Sequence, residues 1–128
     1  MRSLFSGGDH RTRGASAERQ AEQWLNRQGL DTVVRNYRCR QGEIDLVMRG
    51  GNTLVFVEVR LRASREYGGA PASVTVRKQQ RLVRAARHYL AAHPGEAALD
   101  CRFDVLGVAP GTGGEPDFEW ITHAFYAE

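Results

Sequence analysis

At 128 residues the chain has the size of one domain, large enough to bury a core without disulfide or metal staples. No apolar run approaches the length needed to cross a bilayer. The N-terminal MRSLFSGGDHRTRG lacks the apolar centre of a secretory signal, so a cytoplasmic protein without membrane contact is expected. The net charge is only +3 but is spread unevenly. Arg60, Arg62, Arg65, Arg77, Lys78, Arg81, Arg84 and Arg87 stand against the single acid Glu66, and Lys78 is the only lysine. Arginine favours planar, bidentate contact with phosphate, although a GC-rich genome leaves the same bias. Cys39 and Cys101 lack metal-ligand spacing and read as reduced thiols. His10, His88, His93 and His123 are too scattered for a zinc site.

Residues 1–14 read as a mobile basic arm ahead of a single domain, 15–128. A first helix is expected from a cap at Ser16 to Gln28, stopped by Gly29, with Ala17, Ala21, Trp24, Leu25 and Gln28 on its buried face. Glu18 falls at the edge of that stripe. It is either a first-turn acid favoured by the helix dipole, the simpler reading, or a carboxylate turned towards a neighbouring sheet. Thr32 to Arg38 reads as a first strand, with Val33 and Val34 as its apolar content and Arg35, Tyr37 and Arg38 interleaved; Arg40 adds to the positive charge there.

Two further strands, Glu43–Met48 and Thr53–Arg60, flank Arg49-Gly50-Gly51-Asn52. A Gly-Gly pair between alternating runs signals a tight hairpin, because glycine accepts the positive φ of a primed turn. With Gly50 and Gly51 as turn residues, Val47 would face Leu54, Asp45 would face Phe56 and Glu43 would face Glu58. Glu43, Asp45, Glu58 and Arg60 then share one face, partly covered by Val47, Leu54 and Phe56, while Ile44, Leu46, Val55, Val57 and Val59 form the other. Three carboxylates at cross-strand distance repel unless a cation, a shared proton or water compensates. Hard oxygen ligands suit Mg²⁺ or Mn²⁺, and a neighbouring arginine suits a phosphate. On spacing alone, the wet face of a half-exposed sheet is an equal reading; the apolar neighbours tilt it towards a site.

Ala63–Pro71 reads as a loop bordering that face, followed by a second helix from Ser73 or Thr75 to Ala92 and a stop at His93-Pro94-Gly95. Val76, Val83, Ala86 and Leu90 form its expected buried stripe. Arg77, Arg81, Arg84 and His88 line the opposite face within about a quarter of the circumference. With no acid interspersed, these cations gain from an anionic partner, for which a nucleic-acid backbone is the natural candidate. Cys101–Val108 and Phe118–Phe125 read as last strands around the Pro110–Pro116 turn. The order predicts an α/β domain with a central mixed sheet of about five strands flanked by helices.

Glu18 on the first helix, Asn36-Tyr37-Arg38-Cys39-Arg40, Gly42-Glu43-Ile44-Asp45-Leu46, Phe56-Val57-Glu58-Val59-Arg60, Val74-Thr75 with Lys78-Gln79, and Cys101-Arg102-Phe103-Asp104-Val105 together resemble the YraN family. That family is regarded as predicted endonucleases with a restriction-endonuclease-like core of the PD-(D/E)XK type, distantly similar to Holliday junction resolvases. The resemblance implies Asp45 and Glu58 as ligands of Mg²⁺ or Mn²⁺, Glu18 as the helical acid and Glu43 as an extra ligand or acceptor. It also implies DNA, branched or structured, as substrate and a homodimer as in resolvases; the basic residues Arg38, Arg40, Arg62, Arg77, Arg81 and Arg84 are the candidates to contact its backbone. Where the wider pattern has a catalytic lysine, this chain has Arg60, which never loses its proton and so cannot be a general base. Either Lys78 takes over that role, or the protein binds nucleic acid without cutting it.

Overall fold

The structure, a computed structural model, describes residues 10–62 and 74–127, with side chains from residue 16 onward. Helix α1 (His10–Arg27) leads into β1 (Asp31–Cys39), β2 (Gly42–Gly50) and β3 (Thr53–Leu61). Helix α2 (Val76–Ala92), β4 (Asp100–Pro110) and β5 (Pro116–Phe125) follow. The strands form one sheet in chain order, antiparallel throughout except for β3 and β4, which run parallel. A parallel pair needs a crossover connection, and α2 lies on it. The α/β class with a mixed five-stranded sheet is therefore the architecture of this chain. Among the described residues no helix is long and apolar enough to cross a membrane.

Both faces of the sheet are covered. Ala21, Leu25 and Leu30 cover Leu46, Met48, Val55, Val57 and Leu106 on the α1 side. Leu82, Val83, Ala85, Ala86 and Tyr89 cover Val47, Leu54, Phe56, Phe103 and Val105 on the α2 side. Double coverage explains why the central strands read as nearly continuous apolar runs. Ile44 departs from the expected face: it joins the α2-side cluster although Leu46, two residues on, lies in the other. At this level of β1, Asn36 takes a positive φ of 52° between Arg35, paired with Leu46, and Tyr37, paired with Ile44. The positive φ turns the pleat there, and strict alternation fails.

Helix α1 begins at His10, ahead of the expected Ser16 cap. It ends as read, with Gly29 at φ +101° and the Leu30 N–H donating to the Leu25 carbonyl at 3.1 Å, a Schellman closure that also buries Leu30. Residues 1–9 of the expected arm and the Ala63–Pro71 loop lie outside the described residues. Thr75 caps α2, its side chain accepting from the Lys78 N–H at 3.2 Å. The buried stripe of α2 is Leu82, Val83, Ala85, Ala86 and Tyr89; Val76 at the helix start is 67% exposed, and Leu90 only flanks the cluster. The sheet approaches from the side of Tyr89, which is fully buried.

Close approach of β2 to α2 depends on Gly42, where an added Cβ would lie 3.1 Å from the Arg81 carbonyl oxygen. Gly42→Val is expected to cost about 1–3 kcal/mol through overpacking. A urea midpoint unchanged from the native one would refute this. Gly95→Ala, with nothing within 4 Å of its Cβ, serves as the neutral control.

Candidate active site

The β2–β3 hairpin is slipped by two residues from the expected register. Val47 pairs with Phe56, Arg49 with Leu54 and Gly50 with Thr53, so the turn residues are Gly51 and Asn52. Gly51 supplies the positive φ, +60°, that the turn needs. Gly50 serves a different purpose: a Cβ on it would sit 2.8 Å from Leu30 Cδ2, so its bareness admits the end of α1's closure rather than the bend. An even slip by itself leaves side chains on their faces, as it does for Leu46 and Val47 here. It changes the partners, and continuing the observed register sets Asp45, not Glu43, opposite Glu58.

The ladder between β2 and β3 ends at Leu46 and Val57. Beyond it the Val59 N–H donates to Asp45 Oδ2 at 2.8 Å, so a carboxylate takes the place of a ladder carbonyl. A cavity of about 120 Å³ opens here, lined by Glu43, Asp45, Glu58, Lys78, Arg81 and Leu82. Glu58 is 5% exposed, a buried carboxylate that needs compensation. Lys78 supplies it, with Nζ 2.9 Å from Glu58 Oε2, and Arg60 Nη1 lies 3.3 Å from the same oxygen. Thr75 makes this contact possible by starting α2 so that its first turn overhangs the strand.

Burial, followed by the negative charge of Glu58, pushes the Asp45 carboxyl up to about 8. The Val59 N–H pulls the other way, while Glu18 and a hydrogen bond to the Glu58 side chain push it further up. Glu18 is raised too, first by burial and then by Glu43 and Glu58, with Arg38 opposing. The four acids therefore share one electrostatic field, but they do not share one cavity. Glu18 lines a neighbouring hollow of about 490 Å³ with Glu22, Asn26, Arg35 and Asn36. Glu43 is exposed and held by Arg38 at 3.0 Å. Among the described residues no three His, Cys, Asp or Glu side chains are already gathered as a metal centre. What the fold does bring together is the Asp45–Glu58 pair with Lys78 and Arg81.

The remaining candidate residues are dispersed. Arg38, Arg40, Arg77 and Arg84 are exposed. Arg62 turns inward: its side chain is 8% exposed and Nη1 pairs with Glu119 at 2.7 Å, tying β3 to β5. Sequence reasoning also passed over Glu22 and Asp104. Glu22 is buried and accepts from Thr32 at 2.6 Å and from Arg35 Nε at 2.8 Å, which lowers its pKa. Asp104 is fully buried. Its signal was present in Arg102-Phe103-Asp104, an opposite-charge pair two apart on one strand face.

Fold and site together define a mixed-sheet α/β protein with a buried, lysine-compensated pair of acids where two central strands part. The family model for "Uncharacterised protein family UPF0102" matches residues 17–108, and the chain belongs to that family, the one its motifs resembled. A UPF0102 protein of Cupriavidus taiwanensis is 56% identical, covering 100% of this chain and 95% of its own. One from Alcanivorax borkumensis is 52% identical over 90% of this chain and 92% of its own, and one from Aeromonas hydrophila 54% over 89% and 85%. Among solved structures, SfsA of Pyrococcus furiosus in complex with Ca²⁺ is 20% identical with a TM-score of 0.42. That match covers 89% of this chain but 64% of SfsA, less than two thirds of its length.

Proposed function

We propose that the Asp45–Glu58 cleft is a divalent-metal-dependent phosphodiester-cleaving site acting on nucleic acid, with DNA, branched or structured, as the expected substrate. The observation that carries this reading is the carboxylate pair itself. Two acids share a buried cleft, one of them keeping its proton to about pH 8, beside a lysine and an arginine. Hard oxygen donors that repel each other fit Mg²⁺ or Mn²⁺, and Asp45 and Glu58 would hold the ion, with Glu43 lining the same cavity. When bound, such an ion supplies charge neutralisation, polarises a phosphate and lowers the pKa of a water.

The chain's own residues do the rest. Arg60 and Arg81 hold phosphate oxygens, as permanently charged donors. Lys78, already in the cleft, takes the part Arg60 cannot play, because an amine, unlike a guanidinium, can exchange a proton. A second reading, a nucleic-acid-binding module that does not cut, is favoured by Arg60 at the lysine position and by the lack of a ready three-ligand cluster among the described residues.

Nicking of supercoiled plasmid and of a labelled four-way junction in Mg²⁺ or Mn²⁺ separates the two. The native protein is expected to cut. Lys78→Ala should lower the rate about 10²–10⁴-fold, the usual worth of a general acid or base, without weakening DNA binding to match. Salt-sensitive binding with no product in either metal would replace the first reading with the second.

A further inference from the structure

Beyond the acid cleft, α2 presents a second, unassigned surface. A groove of about 330 Å³ runs along the other flank of the helix, where Val76 and Val83 border Gln79, Gln80, Arg84, Arg87 and Tyr126. Arg81 lines the cleft and Arg84 the groove, so the two open on either side of one helical crest, a single turn apart. Arg77, Arg81, Arg84 and Arg87 are all exposed, and among the described residues none of them is in an ion pair. Among the described residues no carboxylate lines the groove. Guanidinium groups on neighbouring turns of one helix repel and gain from a polyanion.

Tyr126 adds a different chemistry. It is 72% exposed, with its ring 6.1 Å from that of His123. Its base is firm, because Phe125 beside it is buried and stacks on Phe103 at 5.0 Å, and Phe103 on Phe56 at 5.5 Å. The backbone N–H of His123 is held by Asp104 at 3.1 Å. A large aromatic face set in water at the end of an anchored strand, beside two arginines and two carboxamides, matches the elements that bind single-stranded nucleic acid: cations for the backbone, a ring for a base. Bases within a duplex are already stacked and offer no face to such a ring.

We propose that this groove is a single-strand subsite, in which Tyr126 stacks on an unpaired base while Arg84 and Arg87 hold the flanking phosphates. The substrate of the neighbouring cleft would then be nucleic acid with an unpaired segment, a loop, flap or opened junction, rather than continuous duplex. This deepens the nucleic-acid reading above, but it requires no cleavage.

The test is fluorescence anisotropy of the full chain, without metal, on a labelled oligothymidylate and on a blunt duplex of equal length. Tyr126→Ala is expected to weaken oligothymidylate binding about tenfold, the worth of one stacked base, and to leave duplex binding within about twofold. Tyr126→Trp should restore it. Arg84→Ala and Arg87→Ala should weaken both ligands and flatten the salt dependence by about one ion each. Equal losses on both ligands, no loss on either, or displacement by polyglutamate as readily as by oligothymidylate would overturn the proposal. If single-strand binding depends on Tyr126 yet no metal supports cleavage, the subsite stands and only the hydrolytic reading of the cleft falls.

Discussion

In metal-free buffer at pH 8, Asp45→Asn is expected to be more stable than the native protein. Replacing a carboxylate by its amide normally costs stability, so the sign is informative. The folded protein holds the Asp45 proton to about pH 8, against an ordinary value of 3.8, because the side chain is buried beside Glu58. Between those values the unfolded chain releases a proton that the folded chain keeps. Fewer protons are then bound in the unfolded state, and stability falls as pH rises, by at most about 1.4 kcal/mol per pH unit. Asparagine does not titrate. It keeps an oxygen for the Val59 N–H and offers an N–H to Glu58, as the protonated acid does.

The advantage of the variant should therefore grow from pH 4 to pH 8 in thermal melts taken with chelator. Mg²⁺ should reverse the order at pH 8. Saturating it 100-fold above its dissociation constant stabilises the native protein by about 2.7 kcal/mol, while the variant, short of one charged ligand, gains far less. A native melting temperature that is flat from pH 4 to pH 8 would remove the electrostatic case for a cation at Asp45. Mg²⁺ shifting both proteins alike would place the ion elsewhere.

Asp104→Ala is expected to cost about 3–5 kcal/mol, the largest single loss in the molecule away from the cleft. Asp104 is fully buried and accepts from Arg102 Nε at 3.1 and 3.2 Å, from Trp120 Nε1 at 2.9 Å and from the His123 N–H at 3.1 Å. Alanine removes the one buried acceptor that the guanidinium, the indole and the amide share. It also releases the irregular β4–β5 ladder, where the register shifts between Phe103 and Val105 and His123 takes a φ of +51°. The melting temperature should drop by on the order of 10–20 °C. Arg38→Ala makes the contrast, because its bridge to Glu43 joins side chains 76% and 55% exposed and should matter little. Comparable losses from the two variants would show that burial does not govern these pairs.

The two carboxylates illustrate how differently local and distant information enter this protein. Strand alternation put Glu43, Asp45 and Glu58 on one face, and the family resemblance singled out Asp45 and Glu58 among them. Their true partners were not legible, since the turn position was read from Gly50-Gly51 while Gly50 is required elsewhere, against Leu30. Arg62 looked like one more cation of the basic run, yet it faces Glu119, fifty-seven residues on, and is nearly buried. Of the expected α2 stripe Val83 and Ala86 are buried, but Val76 satisfies helical spacing and is still exposed, because spacing alone does not say where the packed face begins.

By itself the sequence determined the α/β alternation, the hairpin, the Gly29 stop, the Thr75 cap, the acidic strand positions and the cationic crest of α2. All of these depend on φ/ψ preferences and periodicities within a few residues. Only the tertiary structure decided that Lys78 meets Glu58, that Asp104 gathers three donors, and that Tyr126 stands beside Arg84 and Arg87. Those contacts join segments far apart in the chain. Which of them form is set by the volume and charge that the packed faces must satisfy together, a quantity that no local window contains.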